Sequence, residues 1–156
     1  MKHRIAVLLH NVRSAHNVGS IFRTADAVGA ERVYLTGYTP TPIDAFGRAQ
    51  ADIAKTALGA EQSLLWRHEA SASRCIKQLA RDGWHVVGVE QDKRARDYRS
   101  FRAHKPTVFV FGNEVRGLSA ALRKECHDLV EIPMRGRKES LNVSVAAGVV
   151  LFQCVP

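Results

Sequence analysis

Five short runs along this chain are apolar at nearly every position: Ile5–His10, Val33–Gly37, His85–Glu90, Thr107–Gly112 and Leu129–Met134. A strand wet on one face alternates apolar with polar residues, whereas a strand covered on both faces does not. These runs therefore predict a buried, parallel sheet. Between them, apolar residues recur at helical spacing over 17–29, 71–82 and 119–126, and the chain from Asn142 onward also reads as helix. Strand and helix in alternation predict one α/β domain, a mostly parallel sheet with helices on both faces. Thr39-Pro40-Thr41-Pro42 breaks the chain after the second run, and the Ala-rich stretch from Phe46 to Ala60 reads as partly helical. No linker, repeat or low-complexity segment divides the 156 residues.

Two of the helices carry more than a core stripe. In 17–29, Val18, Ile21, Phe22, Ala25 and Val28 share one face, Arg23 points away from it, and Asn17 stands where an N-cap is expected. A capped amphipathic helix with a solvated arginine accounts for that pattern. So does an arginine projected toward a ligand at the carboxyl ends of the strands, where open α/β sheets bind. The last helix is different, because no charged residue occurs from Leu141 to Pro156 and Val143, Val145, Val149, Val150, Leu151 and Phe152 cover every side. A helix apolar all round is buried all round. A second copy of the chain is the simplest cover for it, an enclosed core helix being the alternative.

Charge narrows the partners. The chain has 23 Lys and Arg against 15 Asp and Glu, a formal net charge of +8. Residues 93–105 hold Lys93, Arg94, Arg96, Arg99, Arg102 and Lys105 against Asp97 alone, and 135–138 add Arg135, Arg137 and Lys138, so these two stretches contain the whole excess. Clustered cations suit a polyanion, since binding to phosphates releases counterions. Tyr98 and Phe101 among them either stack on unpaired bases or tuck into the core. The three cysteines, Cys75, Cys126 and Cys154, are far apart and odd in number, so no disulfide framework or CxxC metal pair is read, and a reducing cytoplasm is expected. The apolar run Ile5–Leu9 is too short for a membrane span or a signal-peptide core.

Familiar catalytic signatures are missing. There is no GxGxxG after a strand, no Walker lysine loop, no HExxH and no GxSxG, and the seven histidines show no metal-ligand spacing; no metal is expected. Two polar turns that follow strands and open helices remain, Gly112–Ser119 and Arg135–Asn142. Lying side by side, their backbone groups would line a cleft for a small ligand, although Gly, Ser and Asn are also ordinary cap residues.

Three segments taken in order resemble the SpoU/TrmH-type RNA ribose methyltransferases of the SPOUT class. They are Asn17-Val18-Gly19-Ser20-Ile21-Phe22-Arg23-Thr24-Ala25-Asp26-Ala27-Val28-Gly29, Val110-Phe111-Gly112-Asn113-Glu114-Val115-Arg116-Gly117-Leu118-Ser119, and Ile132-Pro133-Met134 followed by Ser140-Leu141-Asn142-Val143-Ser144-Val145-Ala146. The resemblance spans nearly the whole chain. It implies a C-terminal trefoil knot, which general connection rules would not suggest. It also implies a homodimer and S-adenosylmethionine held in the knot. Gly112, Ile132 and Leu141 would bind that cofactor largely through backbone groups, with Val89, Gly117 and Met134 beside them.

The implied reaction moves a methyl group to a ribose 2′-hydroxyl of tRNA or rRNA. Arg23 matches the essential arginine of the first motif with Asn17 orienting it, and Glu114, Ser140 and Asn142 match the other polar positions. A guanidinium is almost never deprotonated, so Arg23 is expected to hold phosphate or polarise the hydroxyl while a phosphate oxygen or water takes the proton. The chain, residues 1–156, reads as the methyltransferase domain with no N-terminal or C-terminal RNA-binding extension. RNA recognition is then expected from Arg94, Arg96, Arg99, Arg135, Arg137 and Lys138. An RNA-binding or assembly protein that keeps the fold without catalysis is the alternative, and a nucleotide-binding module unrelated to RNA is a weaker third.

Overall fold

The computed structural model describes residues 3–156. Its strands are β1 Ile5–His10, β2 Arg32–Thr36, β3 Leu65–Glu69, β4 His85–Val89, β5 Arg96–Asp97, β6 Thr107–Phe111 and β7 Asp128–Glu131. They form one sheet in the order β3-β2-β1-β6-β4-β7-β5, with every pairing parallel. The helices are α1 Ala15–Ala27, α2 Ala51–Ala57, α3 Ala60–Ser63, α4 Ala72–Arg81, α5 Ala120–Glu125 and α6 Val143–Cys154.

The unbroken apolar runs have the expected cause. In β1, Ile5, Val7 and Leu9 pack with α1, α2 and α6, while Ala6 and Leu8 face the opposite core beside α4 and α5. Both faces of the central strands are covered, so neither needs polar residues. The stripe of α1 buries Val18, Ile21, Phe22 and Ala25 as the spacing predicts. Gly19 lies where α1 meets α2: a Cβ there would fall 2.0 Å from Thr56 Oγ1 and 2.4 Å from the Ile53 carbonyl oxygen. Only a residue without a side chain permits that approach.

Several boundaries differ from expectation. The N-cap of α1 is Ser14, whose side chain accepts from the Asn17 N–H at 3.2 Å; Asn17 is already inside the helix. The stretch 46–60 holds α2 and only the first residue of α3, because Leu58 and Gly59 adopt left-handed backbone and separate the two. β3 carries no apolar run. It is an edge strand whose side chains are mostly exposed, and charge on an edge opposes pairing with another chain. The basic stretch 93–105 contributes β5, pairing Arg96 with Val130 and Asp97 with Glu131.

One connection positions the site. β4 and β5 are consecutive in the chain, yet β7 slots between them. The residues before β7, in α5, pack on one face of the sheet, and those after it, in α6, pack on the other. Ala103 N–H donates to the Cys154 carbonyl at 2.9 Å, fastening the β5–β6 connection over the end of α6. Helix α6 is not enclosed in the single chain: Val145 is 50% and Phe152 60% exposed, while Val143, Ala147, Val150, Leu151 and Cys154 are buried.

Candidate active site

The turns after β4, β6 and β7 meet at the carboxyl edge of the sheet around a cavity of about 300 Å³. Val89, Gly112, Gly117, Ile132, Met134 and Leu141 all line it, and so do Glu114 and Ser140. The sequence motifs thus converge, although Val89 and Leu141 are 52 positions apart in the chain.

The 112–118 turn is built by its own chemistry. Asn113 Oδ1 accepts from the N–H groups of Val115 and Arg116, both at 2.9 Å, and the Gly117 N–H donates to the Asn113 carbonyl at 2.9 Å. The loop doubles back so tightly that a Cβ on Gly112 would sit 2.5 Å from the Gly117 carbonyl carbon. Gly117 has φ +63°, and its missing Cβ is where Glu90 Oε2 lies. That carboxylate accepts from the Leu118 N–H at 2.9 Å. Glu90 lies outside the three motifs, and Asn113, inside the second, was not among the candidate site residues; a carboxylate at the end of a buried strand, at Glu90, is the signal that was present. Across the cavity, Gln91 Nε2 donates to the Glu139 carbonyl at 2.6 Å, tying the β4 turn to the segment before α6.

Val89, Phe111, Ile132, Met134, Leu141 and Val143 give the cavity an apolar wall, while Glu90, Glu131 and Glu139 place carboxylates around it. A flat heteroaromatic group suits the first and a cationic or hydroxyl-bearing group the second. With main-chain donors and acceptors brought in by two glycines, the donor set fits an adenosyl sulfonium.

Beside this cavity three motif residues form a chain. Glu114 accepts from the N–H groups of Arg13 at 2.9 Å and Ser14 at 2.8 Å, and from Asn17 Nδ2 at 3.3 Å. Asn142 Nδ2 in turn donates to Asn17 Oδ1 at 3.2 Å. Partial burial raises the Glu114 pKa, but the Arg13, Ser14 and Glu114 amides and the Asn17 side chain outweigh it, holding the carboxyl below its ordinary value. Asn142 also caps α6, its Oδ1 accepting from the Ser144 N–H at 2.8 Å.

Arg23 stands apart. The Asn17 amide bonds Glu114 and Asn142, and no hydrogen bond joins it to Arg23 among the described residues. Arg23 lies six residues further along α1, about 9 Å at the helical rise, with an exposed side chain that does not line the cavity.

The basic stretches divide. Arg99 forks onto Asp97 at 2.6 and 3.0 Å, Arg96 lies 3.6 Å from Asp128, and Arg94 lies 3.9 Å from Asp92 while donating to the Arg123 carbonyl. The Arg99 fork, through its hydrogen bonds first, lowers the Asp97 carboxyl to about 2. Phe101 is 3% exposed and edge-on to Phe109, with Arg96 over its face at 4.9 Å; it is not free to stack on a base. Tyr98 is half-buried against the core. Arg135, Arg137 and Lys138 are exposed on the segment leading from β7 to α6, without an ion pair among the described residues.

The comparisons with known proteins agree with this arrangement. The model of the SpoU rRNA Methylase family matches residues 4–152. A 23S rRNA (guanosine-2′-O-)-methyltransferase, RlmB, of Ralstonia nicotianae is 35% identical over 155 residues, covering 97% of this chain and 58% of that protein. A putative TrmH family tRNA/rRNA methyltransferase, YacO, of Bacillus subtilis is 31% identical, covering 94% of this chain and 56% of its own length. The chain thus spans little more than half of these curated relatives. Among solved structures, an AdoMet-bound rRNA methyltransferase of Sinorhizobium meliloti superposes with a TM-score of 0.87 at 32% identity, over 98% of this chain and 56% of that one. The TrmH/SpoU tRNA modifying enzyme of A. aeolicus gives 0.84 at 27%, over 97% and 74%. Matched nearly from end to end by the family model, and folded like its solved relatives around the cavity that its motifs build, this chain belongs to the SpoU rRNA methylase family.

Proposed function

We propose that the protein transfers a methyl group from S-adenosylmethionine to a ribose 2′-hydroxyl of tRNA or rRNA. The observation that carries this reading is the cavity of Gly112, Gly117, Ile132, Met134 and Leu141 with the Glu114–Asn17–Asn142 chain at its side. Bound there, S-adenosylmethionine supplies an electrophilic methyl group on a sulfonium. The 112–118 turn and the segment from Ile132 to Leu141 grip its adenosyl part through main-chain groups, with Val89 against the base. The reading includes threading of the chain through the loop between β4 and β6, since β7 enters between β4 and β5 with its flanking helices on opposite faces.

The nucleophile is the ribose oxygen, so it must lie in line with the methyl group and lose its proton as the C–O bond forms and the C–S bond breaks. Glu114 and Asn17 keep Asn142 in place beside the cavity that Ser140 lines. Arg23 is a cation throughout: it holds the adjacent phosphate or polarises the hydroxyl, and a phosphate oxygen or water accepts the proton. Because Arg23 is remote from the cavity of its own chain, the reading calls for a homodimer in which Arg23 of one protomer serves the cavity of the other. The exposed apolar face of α6, at Val145 and Phe152, packs beside α1 and is the surface that such a dimer would cover.

The test is methyl transfer from labelled S-adenosylmethionine to separate pools of undermodified tRNA and rRNA, followed by alkaline digestion. Alkali does not cut beside a 2′-O-methyl ribose, so label in a resistant dinucleotide is the expected result, and the labelled pool names the substrate class. Label confined to mononucleotides would mean base methylation and overturn the reading. Cofactor binding without transfer to either pool would favour a binding protein with the same fold.

A further inference from the structure

A second, larger cavity of about 710 Å³ adjoins the first, sharing Asn113, Glu114, Val115 and Arg116 with it and adding Arg13, Ser14 and Tyr38. Tyr38 is 61% exposed, yet both of its ends are fixed. Its N–H donates to Asn11 Oδ1 at 3.1 Å, and its hydroxyl accepts from Asn113 Nδ2 at 3.1 Å. Asn113 uses its other amide hydrogen on the Asn11 carbonyl at 2.9 Å, and Asn11 itself sits at φ +54°. Gly37 makes room: at φ +64°, a Cβ there would lie 2.0 Å from Asn11 Oδ1 and break the brace.

Holding an exposed aromatic ring still costs side-chain entropy and gains little burial. A ring so held is preorganised for something that stacks on it. Cations stand beside it, since Arg13 and Arg116 are exposed and neither has an ion pair among the described residues. Aromatic faces with unpaired guanidinium groups are the chemistry of single-stranded nucleic acid, where bases stack and arginines take phosphate. In the sequence-predicted stretch, by contrast, Arg94, Arg96 and Arg99 each have a carboxylate partner and Phe101 is buried.

We propose that the Tyr38–Arg13–Arg116 cavity seats the unpaired RNA nucleotides around the methylated one, with a base stacked on Tyr38 and flanking phosphates on the two arginines. This rests on the methyltransferase reading for its orientation: Glu114 belongs to both cavities, so a ribose entering from this side meets the cofactor cavity at the shared wall.

The test uses the 156-residue chain, a fluorescein-labelled unstructured RNA oligonucleotide and bulk tRNA, with S-adenosylmethionine affinity measured separately by calorimetry. Tyr38→Ala is expected to weaken RNA binding about tenfold or more, the stacking contribution of one base. Tyr38→Phe, which keeps the ring, should stay within about threefold, and Arg116→Ala should lower the slope of log affinity against log salt by about 0.7. Cofactor affinity should be unchanged in the two Tyr38 variants, since Tyr38 does not line the first cavity. RNA binding by Tyr38→Ala within twofold of wild type overturns the proposal even if wild type methylates RNA. Tyr38-dependent RNA binding without any methyl transfer by wild type would instead sustain this surface and remove the catalytic reading.

Discussion

The side-chain amide of Asn142 donates to Oδ1 of Asn17 across 3.2 Å, joining the residue that caps α6 to the first turn of α1 over a sequence separation of 125. Asn17 passes the connection to Glu114, which is anchored on the two amides before α1. The three motifs meet in this one chain of hydrogen bonds.

Asn142 has two separable duties. Asn142→Asp keeps an oxygen to cap α6 but loses the Nδ2 donor and places a carboxylate near Glu114. Its thermal midpoint should stay within a few degrees of wild type while methyl transfer falls at least tenfold. Asn142→Ala should lose the transfer and also about 1 kcal/mol of stability, the worth of an N-cap. Transfer by Asn142→Asp at the wild-type rate would show that the amide donor plays no part in the reaction.

Glu114 links stability to pH. Its carboxyl titrates below its ordinary value in the folded chain, so the unfolded chain takes up the proton first as pH falls. Its contribution is complete above the unfolded value of about 4.3 and is lost as pH falls through the folded one. Urea midpoints of wild type and Glu114→Gln, measured from pH 6 down to pH 3, should therefore converge toward the acid end. A gap constant with pH would mean that the charge on Glu114 contributes nothing.

Gly117→Ala pushes a methyl group into the place of Glu90 Oε2 and strains a backbone at φ +63°. The Leu118 amide loses its acceptor and the cavity wall shifts. Calorimetry with S-adenosylmethionine should show affinity lower by at least tenfold, with a folded circular dichroism spectrum. Gly136→Ala is the control, because a Cβ there meets nothing within 4 Å.

The two basic stretches should respond differently to neutralisation. Replacing Arg135, Arg137 and Lys138 by Ala removes exposed, unpaired cations, and every RNA phosphate left without its cation should flatten the salt dependence of binding by about 0.7 to 0.9. Replacing Arg94, Arg96 and Arg99 leaves Asp97 without its guanidinium, while Asp92 keeps Arg123 at 3.0 Å and Asp128 keeps His85 at 2.7 Å, so the change in slope should be smaller and stability should fall slightly. Equal slopes for the two triple variants would contradict the division drawn from their ion pairs.

Phe152→Asp places a charge on the exposed apolar face of α6 without touching its buried side. Sedimentation should show a monomer that still binds cofactor but transfers no methyl group. A dimer that persists with full activity would exclude this face as the interface.

What was legible in the sequence is what local pattern encodes. Central strands covered on both sides lose their polar alternation, so β1 and β6 could be read directly, as could the buried stripe of α1. The glycines of the 112–118 turn stood out because the turn requires them, Gly117 for its positive φ and Gly112 for the close approach of the loop. An edge strand such as β3 has no such pattern, because its exposed side chains answer to solvent. Only the tertiary structure could show that Arg99 folds back on Asp97, that Phe101 lies in the core, or that Asn17 reaches Asn142. The last of these depends on which residues the sheet order brings together across 125 positions, and hydrophobic periodicity carries no information at that range. The fixed ring of Tyr38 belongs to the same class, since its two braces come from Asn11 and from Asn113 on another strand's turn.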